Sequence, residues 1–206
     1  MNDVTKNRTT YPRVSEIIGK QNEAEMKSIP IDYLVHASIR GSKIHKYCTA
    51  YVKGLFNPEI EEEFLPYFTE FVRWTDENVK RPILCSTRLY DDVKRFTGEF
   101  DMILELNSGK KALIDLKTSA QPSKTWAIQL AAYDHLCKLN GLEYEEIFIL
   151  HLKKKAISKK QKEENPNSPP LIHADSIYAN DLKSSWDIFS SALMCYDYFH
   201  RKESKS

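Results

Sequence analysis

The chain has 206 residues, and at about 150 residues per domain one compact unit, spanning 1–206, is expected rather than two. Its 30 Lys+Arg against 29 Asp+Glu leave a formal charge of +1, so the total charge names no partner. A hydrophobic share of 41% with a mean hydropathy of -0.52 supplies a core and excludes a wholly disordered chain. No apolar run approaches the roughly 18 residues of a membrane span.

The opening MNDVTKNRTTYPRV lacks the apolar stretch of a secretory signal, and Asp3 and Pro12 suit a transit helix poorly, so an intracellular, cytoplasmic protein is expected. Cys48, Cys85, Cys137 and Cys195 stand tens of residues apart and form no CxxC pair. Structural zinc and an iron–sulfur cluster are therefore not expected, and the four read as reduced cysteines that pack as small apolar residues.

The first part of the chain, about 11–80, reads as helical. Leu34, Val35, Ile39, Ile44, Tyr47, Cys48 and Tyr51 recur at helical spacing after Pro30 and Asp32, with Gly54 as the stop and a break near Arg40 and Gly41. A second helix is expected from about Pro58, repeating Ile60, Phe64, Phe68, Phe71 and Val72 and ending ahead of Pro82. The acidic run Glu59, Glu61, Glu62 and Glu63 would then lie in its first turns, on a solvated face that complements the helix dipole.

From about 82 to 201 the period changes. ILCSTRLYD, RFTGEFDMILEL and KALIDLK read as strands, with NSGK turning a hairpin between the last two. A helix from about Lys124 to Asn140 closed by Gly141, a strand EEIFILHL, a lysine-rich stretch ending at Pro169 and Pro170, a strand LIHADSIY and a helix from about Asp181 complete the pattern. The fold class is α/β, a central mixed sheet flanked by helices with an N-terminal helical region.

Side chains on a strand alternate faces, which sets Asp115 and Lys117 on one face of KALIDLK and Ile114 and Leu116 on the other. By the same rule Asp101 shares a face with Glu99, Ile103 and Glu105. A hairpin at NSGK brings Asp101 close to Asp115 and Lys117. Two carboxylates and a lysine suit phosphodiester hydrolysis: hard oxygen ligands hold Mg²⁺ or Mn²⁺, and a lysine orients the nucleophile or offsets developing charge. A D-x-K triplet alone is cheap, since Asp92-Val93-Lys94 and Asp181-Leu182-Lys183 also occur and read as solvated surface pairs. Only Asp115-Leu116-Lys117 follows a hairpin carrying its own carboxylate and lies in an apolar strand, where unpaired charge is costly.

Taken together these residues resemble a known family. Gly98-Glu99-Phe100-Asp101, Ile114-Asp115-Leu116-Lys117 and Gln129-Leu130-Ala131-Ala132-Tyr133 are similar to the G-x-x-D, (D/E)-x-K and Q-x-x-x-Y motifs of the RecB-like branch of the PD-(D/E)XK nucleases. Upstream, Gly41-Ser42-Lys43-Ile44-His45 resembles the branch's helical G-x-x-x-H element. The stretch Tyr11-Pro12-Arg13-Val14-Ser15-Glu16-Ile17-Ile18 is similar to the start of phage and bacterial exonucleases of this group and of mitochondrial genome maintenance exonucleases. The resemblance runs from Tyr11 to Tyr133. It implies a restriction-endonuclease-like core, Mg²⁺ or Mn²⁺ as cofactor, DNA as partner, and exonuclease action in recombination, repair or phage DNA processing. Asp101 and Asp115 would be metal ligands with the Leu116 carbonyl and His45, Lys117 would be the catalytic lysine, and Gln129 and Tyr133, i and i+4 on one helix, would hold substrate or the lysine.

One departure stands out, because members of the branch place a glutamate in the strand before G-x-x-D and Cys85-Ser86-Thr87-Arg88-Leu89-Tyr90 has none. Either Glu99 or another acid supplies the charge, or the site works with fewer ligands, or the chain is a weakened DNA-binding or recombination-partner module. Lys153, Lys154, Lys155, Lys159, Lys160 and Lys162 form a basic run that reads equally as a phosphate contact or as a solvated loop. Trp126 reads equally as a base-stacking ring and as core.

Overall fold

A computed structural model of the protein describes residues 8–55, 59–155 and 170–200. After a 3-10 turn at Arg8–Thr10 come helices α1 (Val14–Ile17), α2 (Gly19–Met26), α3 (Ile31–Val52) and α4 (Leu65–Asn78). Strands β1 (Val79–Asp91), β2 (Phe96–Leu106) and β3 (Lys111–Lys117) follow, then α5 (Thr125–Leu139), β4 (Glu146–Lys154), β5 (Ile172–Tyr178) and α6 (Leu182–His200). The strands form one mixed sheet in the order β1-β2-β3-β4-β5. Neighbours are antiparallel except β3 and β4, which α5 connects as parallel strands. The α/β class with a helix-flanked mixed sheet is thus the one the residue pattern called for.

Each face of the sheet is covered by helices. On one face Ile44, Tyr47, Cys48 and Val52 of α3 and Tyr67, Phe71 and Trp74 of α4 pack on Met102, Leu104, Ile114, Leu116 and Leu150. On the other, Val14 and Ile17 of α1, Ile128, Tyr133 and Leu136 of α5 and Phe189 of α6 pack on Phe96, Phe100, Ile103 and Leu113. Each of these large side chains contributes about 1.5–3 kcal/mol when fully buried. Cys48, Cys85 and Cys137 are buried within the two layers, whereas Cys195 is exposed.

The helical region differs from expectation at two points. α3 runs unbroken through Arg40 and Gly41. Arg40 Nη2 donates to the Thr118 carbonyl at 3.2 Å and Ile44, Tyr47 and Cys48 are buried on the sheet, so tertiary contacts on both sides of Gly41 supply what local propensity withholds. α4 begins only at Leu65, with Pro66 in its first turn, and Pro58 lies outside the described residues. The acids Glu59 to Glu63 therefore precede the helix and tie it to α3: Glu61 bonds Lys43 and Tyr47, and Glu63 meets His36 at 3.1 Å. The Lys43 ammonium, followed by the Tyr47 hydroxyl, holds the Glu61 carboxyl down at about 2. β1 begins before Pro82, which an edge strand tolerates because its outer N–H groups pair with no neighbour.

Candidate active site at a strand fork

β2 and β3 pair from Glu105↔Lys111 to Met102↔Ile114, joined by a turn in which Gly109 adopts φ 85°. One step further the ladder would set Asp101 opposite Asp115, and there the strands part. The Leu116 N–H is free of the ladder and donates to Asp101 Oδ2 at 2.7 Å, while Asp101 Oδ1 accepts from His45 Nδ1 at 3.0 Å. Asp101 is thereby held from both sides, by the next strand and by α3.

The face assignment for Asp101 needs correction. Gly98 and Phe100 turn toward α5, yet so does Ile103, while Met102 packs under α3. Alternation therefore slips by one at Asp101, which opens with Glu99 and His45 onto the cavity beside α3 instead of sharing the Ile103 face. Ser86, opposite Asp101 between the Cys85↔Met102 and Thr87↔Phe100 pairs, takes φ 47° to accommodate the slip. Asp115 and Lys117 lie on the α5 side with Leu113, so the two carboxylates approach the fork from opposite faces of the sheet.

Lys117 is clasped. Its Nζ lies 2.7 Å from Asp115 Oδ2 and donates to Gln129 Oε1 at 2.7 Å. Gln129 Nε2 donates in turn to the Tyr133 hydroxyl at 2.8 Å, which fixes the amide's orientation. Gln129 and Tyr133 share the inner face of α5 as their i,i+4 spacing requires, and Tyr133 is both buried and part of this chain. Its ring can lie so close to β2 only because residue 98 is glycine. A Cβ there would stand 2.9 Å from Tyr133 Cε1, 2.7 Å from Leu136 Cδ1 and 3.0 Å from Val14 Cγ2.

Charge in the fork is only partly balanced. Burial pushes the Asp115 carboxyl above its usual range, and Lys117 offsets this only in part. Burial acts the same way on Asp101, but His45 outweighs it and holds that carboxyl low. For His45 burial favours the neutral ring, and the Asp101 carboxylate overcomes it and raises the pKa. Asp115 Oδ2 is buried with no donor aligned on it, since the nearby Lys117 ammonium lies close but out of hydrogen-bond alignment.

That orphaned oxygen, and a second carboxylate across the fork, fit a small divalent cation. Mg²⁺ is commonly held by one or two carboxylates with water and substrate phosphate completing its shell. Among the described residues no three His, Cys, Asp or Glu side chains close into a metal-holding group. His45 has spent Nδ1 on Asp101, which leaves Nε2 as its ligating nitrogen.

The remaining candidates are placed as follows. Glu99 is exposed on the cavity wall and pairs with Arg88 at 2.6 Å. β1 offers no glutamate there, as Ser86 stands opposite Asp101. Lys153, Lys154 and Lys155 follow His151, which pairs with Lys117, so they lie toward the same end of the sheet, but Lys153 is engaged by Asp175. Lys159, Lys160 and Lys162 lie outside the described residues. Trp126 is packed with Leu130 and Ile149, edge-on to His151, and is core.

Two positioning residues were not read from the pattern. His151 Nε2 donates to the Ser119 carbonyl at 2.7 Å, and Arg40 Nη2 donates to the Thr118 carbonyl at 3.2 Å. Together they pin the two residues that follow Lys117. A histidine inside the apolar EEIFILHL strand was the available signal for the first. For Arg40, only its place one residue before the G-x-x-x-H element hinted at a role.

No family model and no curated protein matches the sequence. Solved structures similar to the chain include a proposed exonuclease from Eubacterium rectale, 13% identical with a TM-score of 0.48, over 79% of this chain and 69% of that one. A protein called SSO0001 is 18% identical with a TM-score of 0.41, over 93% of this chain and 84% of the other. No helix among the described residues is long and apolar enough to cross a membrane.

Proposed function

We propose that the chain is a Mg²⁺- or Mn²⁺-dependent deoxyribonuclease of the RecB-like PD-(D/E)XK type, acting as an exonuclease in recombination, repair or phage DNA processing. One observation carries this reading: the β2/β3 fork sets Asp101 and Asp115 across from each other with Lys117 clasped between Asp115 and Gln129. Asp101, Asp115 and the Leu116 carbonyl would hold the metal, with His45 Nε2 as a further ligand. When bound, the ion polarises the phosphate and lowers the pKa of a water molecule.

The chain's own groups do the positioning. The Gln129 amide takes one N–H of the Lys117 ammonium and holds it beside Asp115, and an ammonium so held can orient the attacking water or bond the developing phosphate charge. Gln129 cannot rotate away, because Tyr133 takes its amide. His45 keeps Asp101 ionised and turned into the fork.

Single- and double-stranded DNA, linear with an end label and circular with an internal label, incubated with Mg²⁺, Mn²⁺ or EDTA tests this. Cleavage of linear DNA with either metal, none with EDTA, and none by Asp115→Asn or Lys117→Ala proteins of native circular dichroism is the expected result. Undiminished cleavage by both variants overturns the assignment, and circular DNA cut as readily as linear excludes an obligate exonuclease. A second reading, a DNA-binding module of weakened chemistry, rests on the absence of a glutamate from Cys85–Tyr90. It requires DNA affinity without cleavage under every divalent metal.

A further inference from the structure

The cavity that opens beside Asp101 has a volume of about 560 Å³ and continues along α3, away from the fork. The buried stripe of α3 is Ile44, Tyr47, Cys48 and Val52, so positions 46, 50 and 53 fall on its flank and line the cavity. Lys46 and Lys53 are one heptad apart, about 10 Å along the axis at 1.5 Å per residue. Among the described residues neither has an acidic partner, whereas Lys43, Lys80, Lys110 and Lys153 are each paired. Between and beyond the two lysines the wall presents Ala50 and Leu55, which is 60% exposed, beside Thr49, whose hydroxyl lies 3.4 Å from that of Ser86.

Two uncommitted cations alternating with apolar surface match a nucleic-acid strand whose bases are unpaired. Phosphates meet the ammonium groups, and base faces cover Ala50 and Leu55. A duplex would leave the apolar part idle, because its bases are stacked inside. Resting on the nuclease reading for what lies at the fork, we propose that the last turns of α3 from Lys46, with Lys53 and Leu55 just beyond its end, form the track along which a single DNA strand leaves the site. Lys46 and Lys53 bind its backbone, and Leu55 supports a base.

Binding of short fluorescent single-stranded and duplex DNA in EDTA, over a range of salt, separates this from catalysis. Each phosphate contact on a single strand contributes about 0.7 to the slope of log affinity against log salt, so Lys46→Ala/Lys53→Ala should lower the slope by about 1.4 and weaken binding about 25-fold at 0.1 M salt. Leu55→Ser should weaken single-strand binding without changing the slope. Lys80→Ala/Lys110→Ala, which removes two lysines paired to Glu105 and Glu146, should leave the slope as it is. An unchanged slope in the Lys46/Lys53 variant overturns the track even if the wild type cleaves DNA. Lysine-dependent binding by a wild type that cleaves nothing upholds the track and overturns the nuclease reading. Duplex bound with the same affinity and the same dependence on Leu55 overturns the single-strand assignment.

Discussion

Gly98→Ala inserts one methyl carbon at the point where β2, α1 and α5 meet. The added Cβ would lie 2.7 Å from Leu136 Cδ1, 2.9 Å from Tyr133 Cε1 and 3.0 Å from Val14 Cγ2. None of the three gives way cheaply. Leu136 and Val14 are each 1% exposed, valine is stiff about χ1, and the tyrosine ring is anchored through its hydroxyl to Gln129. Overpacking of this kind costs about 1–3 kcal/mol, and with three elements obstructed the upper half of that range, about 2–3 kcal/mol, is expected. For a chain of this size that is about 4–12 °C in Tm. The same displacement moves Tyr133, hence Gln129 and the Lys117 ammonium, so cleavage should fall about tenfold or more at saturating DNA with little change in KM. Urea denaturation with a constant slope reads the first effect, and steady-state cleavage of labelled DNA the second. Leu136→Ala opens space on one side and should recover part of the stability lost to Gly98→Ala, giving a non-additive pair. A Gly98→Ala protein within about 0.5 kcal/mol of wild type and equally active would refute the claim that this backbone approach positions the lysine.

Three further outcomes are expected. Asp115→Asn removes a buried, poorly partnered carboxylate and should raise stability in EDTA by about 1 kcal/mol while abolishing cleavage; a lower urea midpoint would contradict this. His151→Leu strips the Ser119 carbonyl of its donor and should cost about 1–3 kcal/mol and loosen the loop after Lys117, read as faster amide exchange there, with His151→Gln restoring part of both; unchanged exchange at Thr118 and Ser119 would speak against it. Glu70 ties α4 to β5 by accepting from the Ala174 N–H at 2.9 Å, and Arg73 foremost depresses its pKa below the ordinary 4.5. A depressed carboxyl stabilises the fold above its unfolded pKa and loses that contribution as pH falls through the folded value. Glu70→Gln should therefore cost about 1 kcal/mol at pH 7 and nothing once the pH has fallen below the depressed value, as denaturation at both pH values would record; an equal cost at both would contradict the ionic account.

The sequence was most informative where structure is local. KALIDLK reads correctly as a strand with Asp115 and Lys117 on one face and Ile114 and Leu116 on the other because alternation is a property of seven neighbouring residues, although the charged face is packed as well, with Leu113 under α5. The hairpin at NSGK and the i,i+4 pairing of Gln129 with Tyr133 are legible for the same reason. What depends on a distant partner is not. The Glu59 to Glu63 run has the composition of a first helical turn, and only the positions of Lys43, Tyr47 and His36 reveal that it is a strap onto α3. Gly41 reads as a helix breaker, and only the distant partner of its neighbour, the Thr118 carbonyl bonded by Arg40, shows why the helix continues. Asp101 was correctly grouped with Asp115 and Lys117 but given the wrong face, since period-2 counting assumes an unbroken pleat and Ser86 breaks it from the neighbouring strand. The basic run at Lys153 is dense in sequence, whereas Lys46 and Lys53 stand seven residues apart and are brought to one cavity wall only by the helical turn.

The fork between β2 and β3 also constrains how this site could change over evolutionary time. Asp101 and Asp115 are indexed to the turn at Gly109 by the number of rungs in each arm, Glu105↔Lys111 through Met102↔Ile114. Two residues added to one arm would keep every apolar side chain on its proper face and yet carry Asp101 and Asp115 past one another by a full pleat repeat. The hairpin therefore works as a ruler. Its tip, at the far end of the hairpin, can vary in composition apart from Gly109, whose φ of 85° favours glycine, while the equality of its arms cannot change.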